Sequence, residues 1–102
     1  MKQPKFTIRL LQAAEEDFKE IITYIAIDNP PAADAAADRI ESSLSNLSAY
    51  PFMGKIPKEE ELVNMGYRFL IVQDYLIFYT IEDCIIWVHR IIHGARDYLS
   101  LL

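Results

Sequence analysis

The spacing of hydrophobic positions changes twice along the chain, and each change marks a new kind of element. Phe6-Thr7-Ile8-Arg9-Leu10 alternates apolar and polar residues, the period of a short strand. From Ala13 the period becomes helical. Ala14, Phe18, Ile21, Ile22 and Ile25 recur at the i, i+3, i+4, i+7 spacing that places them on one face. Glu15, Glu16 and Asp17 fall in the first turn, where the helix dipole favours negative charge. Asn29-Pro30-Pro31 ends this helix, because the residue before a proline is disfavoured in α geometry. The same prolines suit the first turn of a second helix, whose stripe is Ala33, Ala36, Ile40, Leu44 and Leu47. Small alanines at its start let the two helices approach as an antiparallel hairpin.

Tyr50 to Pro57 breaks all periodicity and reads as a loop with hydrophobic anchors. The charged segment Lys58 to Val63 is expected to be exposed. Three runs rich in β-branched and aromatic residues follow: Tyr67 to Val72, Tyr75 to Ile81 and Cys84 to Ile92. The polar pairs Gln73-Asp74 and Glu82-Asp83 separate them, which predicts an antiparallel meander. Neither pair has the glycine that two-residue turns favour, so turns one residue longer remain an alternative.

With two-residue turns as the working register, Arg68 lies opposite Tyr79 and Tyr79 opposite Ile86. One face then carries Arg68, Tyr75, Tyr79 and Arg90 among Leu70, Ile77, Ile86 and Val88. The other carries Phe69, Ile71, Leu76, Phe78, Trp87 and Ile91, with Thr80 and His89. Both faces are apolar enough to predict partial cover, and the face with two arginines is expected to stay more open. His93-Gly94 closes the meander, and Asp97 to Leu102 reads as a final helical turn with Asp97 as its N-cap. The order β-α-α-β-β-β predicts a single α+β domain over residues 1–102. Its antiparallel sheet, which the first strand can join, carries a two-helix hairpin on one face.

Composition narrows the chemistry. A 102-residue chain with 52% hydrophobic and 25% charged residues is long enough and apolar enough to bury a core. The single Cys84 cannot form an intramolecular disulfide, which fits a reducing compartment, and it reads as a small buried filler rather than a nucleophile. The N-terminus has no signal-peptide pattern and no apolar run reaches the roughly 18 residues of a membrane span, so a cytoplasmic protein without membrane contact is expected. A net charge of −5 argues against a broad nucleic-acid surface.

No metal or cofactor is expected. His89 and His93 lie about 13 Å apart along a strand, no Cys–His cluster exists, and the three glycines form no phosphate loop. The remaining candidates are Arg68, Arg90, His93, Arg96, Tyr98 and Lys55. Arg68 and Arg90 serve equally well as structural ion pairs or as side chains lying along the sheet edge. For His93 the favoured reading is a lock, its ring bonded to a backbone carbonyl of the loop.

Taken in order, these segments resemble the RelE/ParE family of toxins from bacterial type II toxin–antitoxin systems, closer to the ParE side. The likeness covers nearly the whole chain. It rests on Ala14, Asp17, Phe18 and Ile21, Tyr24-Ile25-Ala26, Pro31-Ala32-Ala33, and then Leu47, Pro51 and Gly54. Tyr67-Arg68, Tyr75-Leu76-Ile77-Phe78-Tyr79 and His93-Gly94-Ala95-Arg96-Asp97 complete it. The resemblance implies a toxin of the plasmid-stabilisation type, neutralised by a cognate antitoxin that wraps around it.

Family members divide by mechanism. RelE-like members cut messenger RNA on the ribosome, and ParE-like members poison DNA gyrase with no known hydrolytic centre. Ribonuclease members typically carry cations where this chain has Leu70, Leu76 and Gly94. RNA cleavage needs acid–base groups and cationic stabilisation of the developing charge. A nuclease here would rely on Arg68, Arg90, His93 and Tyr98. The expectation is therefore a non-enzymatic, ParE-like toxin that meets its target through Arg68, Tyr75, Arg90, His93 and Arg96. A ribosome-dependent nuclease and a degenerate, non-toxic member are the alternatives.

Overall fold

The computed structural model describes residues 5–102. Strand β1 (Thr7–Leu10) leads into helices α1 (Gln12–Asp28) and α2 (Pro30–Ala49). A short helix, α3 (Glu60–Asn64), precedes β2 (Arg68–Val72), β3 (Tyr75–Glu82) and β4 (Ile85–His93), and a 3-10 turn spans Tyr98–Leu101. The sheet order is β1-β4-β3-β2. The meander is antiparallel as predicted, whereas β1 lies parallel to β4, so the four-stranded sheet is mixed.

Asn29 makes the corner between the helices. Its backbone N–H donates to the Ile25 carbonyl and its side chain accepts from the Ala32 N–H at 3.1 Å, so one residue closes α1 and caps α2. Both predicted stripes face the sheet. Ala14, Ile40 and Leu47 pack with Leu70, Ile77, Tyr79, Ile86, Val88 and Ile91, and Phe18, Ile21 and Leu44 flank them.

This packing corrects the expectation about the two faces. The face that starts with Arg68 is the one the helices cover, because its broad aliphatic surface meets the Phe18, Ile21, Ile40, Leu44 and Leu47 side chains of the two stripes. Arg68 escapes burial by standing at the start of β2, where its side chain reaches over the rim. The opposite face builds a second core from Leu62, Tyr67, Phe78 and Ile92, roofed by Tyr98, Leu101 and Leu102. Segment 58–63, expected to be exposed, thus supplies α3 and buries Leu62.

Both hairpins use two-residue turns without glycine. Val72 pairs with Tyr75, so Arg68 faces Tyr79 as predicted, and Gln73 takes the left-handed φ of 55°. The second turn is Asp83-Cys84, with Asp83 at φ 57°, so Tyr79 faces Val88 rather than Ile86 and Cys84 is exposed rather than buried. A bulge then follows: Tyr79 faces Val88 and Phe78 faces Arg90, which leaves His89 as the extra residue of β4. Beyond it the alternation flips, and Ile91 joins the helix-side core instead of the opposite face.

No helix of the described residues is long and apolar enough to cross a membrane.

Candidate functional site

The candidate residues fall into separate stations on the sheet. The first is the loop between α2 and α3. The Tyr79 hydroxyl, inside the core, donates to the Pro51 carbonyl at 2.8 Å and accepts the Gly54 N–H at 3.0 Å. Arg68 Nη1 donates to the carbonyls of Gly54 at 3.1 Å and Phe52 at 3.3 Å, and its guanidinium lies 5.3 Å from the centre of the Phe52 ring. Lys55 and Phe69 exchange both backbone hydrogen bonds. Gly54 is required here, because a Cβ would stand 2.8 Å from Cε1 of the Tyr79 ring. Arg68 is therefore a clamp on this loop.

Arg90 is held from two sides. Its Nε and Nη2 donate to the two Asp17 carboxylate oxygens at 2.7 and 2.9 Å, and Nη1 donates to the Leu101 carbonyl at 3.1 Å. Asp17 also accepts the Ile91 N–H at 3.0 Å, an edge amide of β4 beyond the end of β1. Of the acidic residues, Glu15 alone lies in the first turn of α1; Asp17, expected there beside it, stands in the second turn and ties the helix to the sheet. The guanidinium pKa is raised, chiefly by the hydrogen bonds to Asp17. This is the structural ion pair anticipated as one reading of Arg90.

Tyr98 packs against Phe78 with ring centres 5.0 Å apart and donates its hydroxyl to Glu59 at 2.5 Å. That hydrogen bond pushes the phenol up to about 12 and lowers the carboxyl pKa. Tyr98 therefore holds its proton, which suits an anchor and not a general base. Asp97 makes no side-chain cap of the 3-10 turn, contrary to expectation; Ser100 donates to its backbone carbonyl instead.

His93 is exposed at the end of β4. Its ring packs edge-on to Tyr75 with centres 5.5 Å apart, and its Nδ1 accepts the Ala95 N–H at 3.1 Å. The ring does lock the loop, but as an acceptor from an amide. This leaves Nε2 carrying the proton in the neutral form. Gly94 N–H donates to the Asp74 carbonyl at 2.7 Å and Arg96 is exposed on the following turn.

His93 and Arg68 do not converge. They pair with Tyr75 and Tyr79, four residues apart on β3 and on opposite sides of it, which puts their backbones about 16 Å apart.

One polar cluster lies outside the candidate residues. His89, the bulge residue, sits between the Thr80 hydroxyl (2.9 Å from Nε2) and the Tyr67 hydroxyl (3.1 Å from Nδ1). Burial pushes its pKa down, so the ring is neutral near pH 7 and one nitrogen accepts while the other donates. Alternation had already placed His89 and Thr80 on this face; the bridge to the Tyr67 hydroxyl is what the fold adds. Among the described residues no group of three or more His, Cys, Asp or Glu side chains converges on a metal position.

The family model of the ParE toxin of type II toxin–antitoxin system, parDE, matches residues 8–98. The chain belongs to this toxin family. Among solved structures, this ParE-family toxin is similar to the chromosomal ParDE toxin–antitoxin system from P. aeruginosa. The TM-score is 0.72 at 17% identity, covering 89% of this chain and 98% of that one. It is also similar to the toxin–antitoxin complex RelBE2 from Mycobacterium tuberculosis, with a TM-score of 0.62 at 22% identity over 87% of this chain and 98% of that one. At such identities the likeness is one of fold. Among curated proteins none matches the chain.

Proposed function

We propose that residues 1–102 act in the cytoplasm as one ParE-like toxin domain, which blocks a protein target such as DNA gyrase and is silenced by a cognate antitoxin. The carrying observation is the dispersal of the groups a nuclease would use. Arg68 is committed to loop carbonyls, Arg90 to Asp17 and Tyr98 to Glu59, while the backbones of His93 and Arg68 lie about 16 Å apart. General acid–base cleavage needs its groups within hydrogen-bond reach of one phosphate. A surface that recognises a protein has no such requirement. The similar ParDE and RelBE2 structures are named as toxin–antitoxin systems, which supports an antitoxin partner for this chain.

The test is a supercoiling assay with purified gyrase and relaxed plasmid. Inhibition, or accumulation of cleaved plasmid, is expected at excess toxin and should vanish when antitoxin is added. Unchanged supercoiling together with codon-phased cuts in translated messages would reverse the reading in favour of the ribosome.

A further inference from the structure

The loop that Arg68 and Tyr79 hold has a role beyond closing the fold. Tyr50, Phe52, Met53 and Ile56 are 66, 63, 50 and 60% exposed, although their backbone is pinned by four side-chain hydrogen bonds and the Lys55–Phe69 pair. A loop that shows apolar side chains only because it is slack would lack such clamps. Here the fold satisfies the inner polar groups and leaves the apolar ones facing out. Ala49 to Met53 line a shallow, open apolar cleft of about 450 Å³, and Ile56 stands outside it. Exposed tyrosine, phenylalanine and methionine on a pinned backbone beside a cleft are the composition of a protein-binding hot spot.

The charge of the patch indicates what would occupy it. Residues 48–58 contain Lys55 and Lys58 and no acidic residue, and both lysines are exposed. Neither forms an ion pair among the described residues. Arg68 adds a third positive charge, since its partners are neutral carbonyls and a ring. The whole chain is at −5, and α1 and α2 alone hold eight acidic residues against two basic ones.

We propose that this loop is the docking surface for an acidic segment of a partner protein, whose apolar side chains enter the cleft while its carboxylates meet Lys55 and Lys58. An anionic bilayer offers the same charge and apolar character but fits less well. A flat surface would have to span the acidic run Glu59 to Glu61 that directly follows Lys58, whereas a narrow peptide can sit on the loop alone. The inference holds whichever target the toxin has.

The probe is a short synthetic peptide with leucines at helical spacing and glutamates elsewhere, titrated into the ¹⁵N-labelled full chain and followed by amide shifts. Shifts at Tyr50 to Lys58 and at Arg68 are expected. Lys55→Glu with Lys58→Glu should weaken the complex by about tenfold or more and let a lysine version of the peptide bind there instead. Phe52→Ser should weaken binding of both peptides, and the dispersion of its spectrum reports whether the fold is kept. Shifts confined to α1 or α2, or binding indifferent to the charge swap, would overturn the proposal. So would loop shifts with phosphatidylglycerol vesicles but not with the peptide, which would assign the surface to a membrane.

Discussion

Replacing Tyr79 by phenylalanine removes one oxygen and leaves the ring in place, which isolates the hydroxyl clamp from the packing of the core. The hydroxyl is both donor to Pro51 and acceptor from Gly54, and the residue is fully buried. Two hydrogen bonds of about 0.5–1.5 kcal/mol each are lost, and a carbonyl and an amide lose their shared partner. The loop is close enough to solvent for water to recover part of this. The expected loss is about 2 kcal/mol, or about 10 °C in melting temperature for a domain of this size. Urea unfolding should show an earlier midpoint with an unchanged slope, and hydrogen exchange should show faster exchange at the Gly54 amide. Gly54→Ala attacks the same contact from the other side, since its methyl group would press on the Tyr79 ring. The two substitutions together should cost less than their sum, because each relieves part of what the other disturbs. If Tyr79→Phe unfolds within about 0.5 kcal/mol of the parent and Gly54 stays protected, the clamp is not holding the loop.

Asp17→Ala strands Arg90 and the Ile91 amide at once and is expected to cost about 2–4 kcal/mol in chemical denaturation. Arg90→Ala added to it should cost little more, and full additivity would show that the pair is not coupled. His89 has a folded pKa below its ordinary value of 6.5, so an unfolded chain takes up a proton before the folded one does. Stability from this group is therefore complete above about pH 6.5 and is lost as pH falls. Glu59, also lowered, adds a further loss below its ordinary value of 4.5. Denaturation midpoints flat between pH 7 and 5 would contradict the His89 part, and His89→Gln should flatten that limb. Gln73→Gly, which relieves a left-handed φ of 55°, should raise stability by about 0.5–1 kcal/mol, whereas the same change at exposed Glu82 in β3 should lower it.

The sequence by itself determined the elements, because each rests on local spacing. The helical stripes from Ala14 to Ile25 and from Ala33 to Leu47, the proline corner and the three β-rich runs all lie where the pattern places them. So does the pairing of Arg68 with Tyr79. Segment 58–63 failed the same reading, since one buried Leu62 is too little to give a short helix a period. Only the tertiary structure decided what the polar residues do. A bulge at His89 turned Ile91 toward the helices, and one extra residue reverses every side chain beyond it without leaving a mark on composition. Arg68, Arg90 and Tyr98 found their partners in Gly54, Asp17 and Glu59, which lie 14, 73 and 39 residues away. A cation reads the same in sequence whether it waits for a ligand or closes a loop. Which of the two it does depends on the distance to a partner, and that distance exists only once the chain has folded.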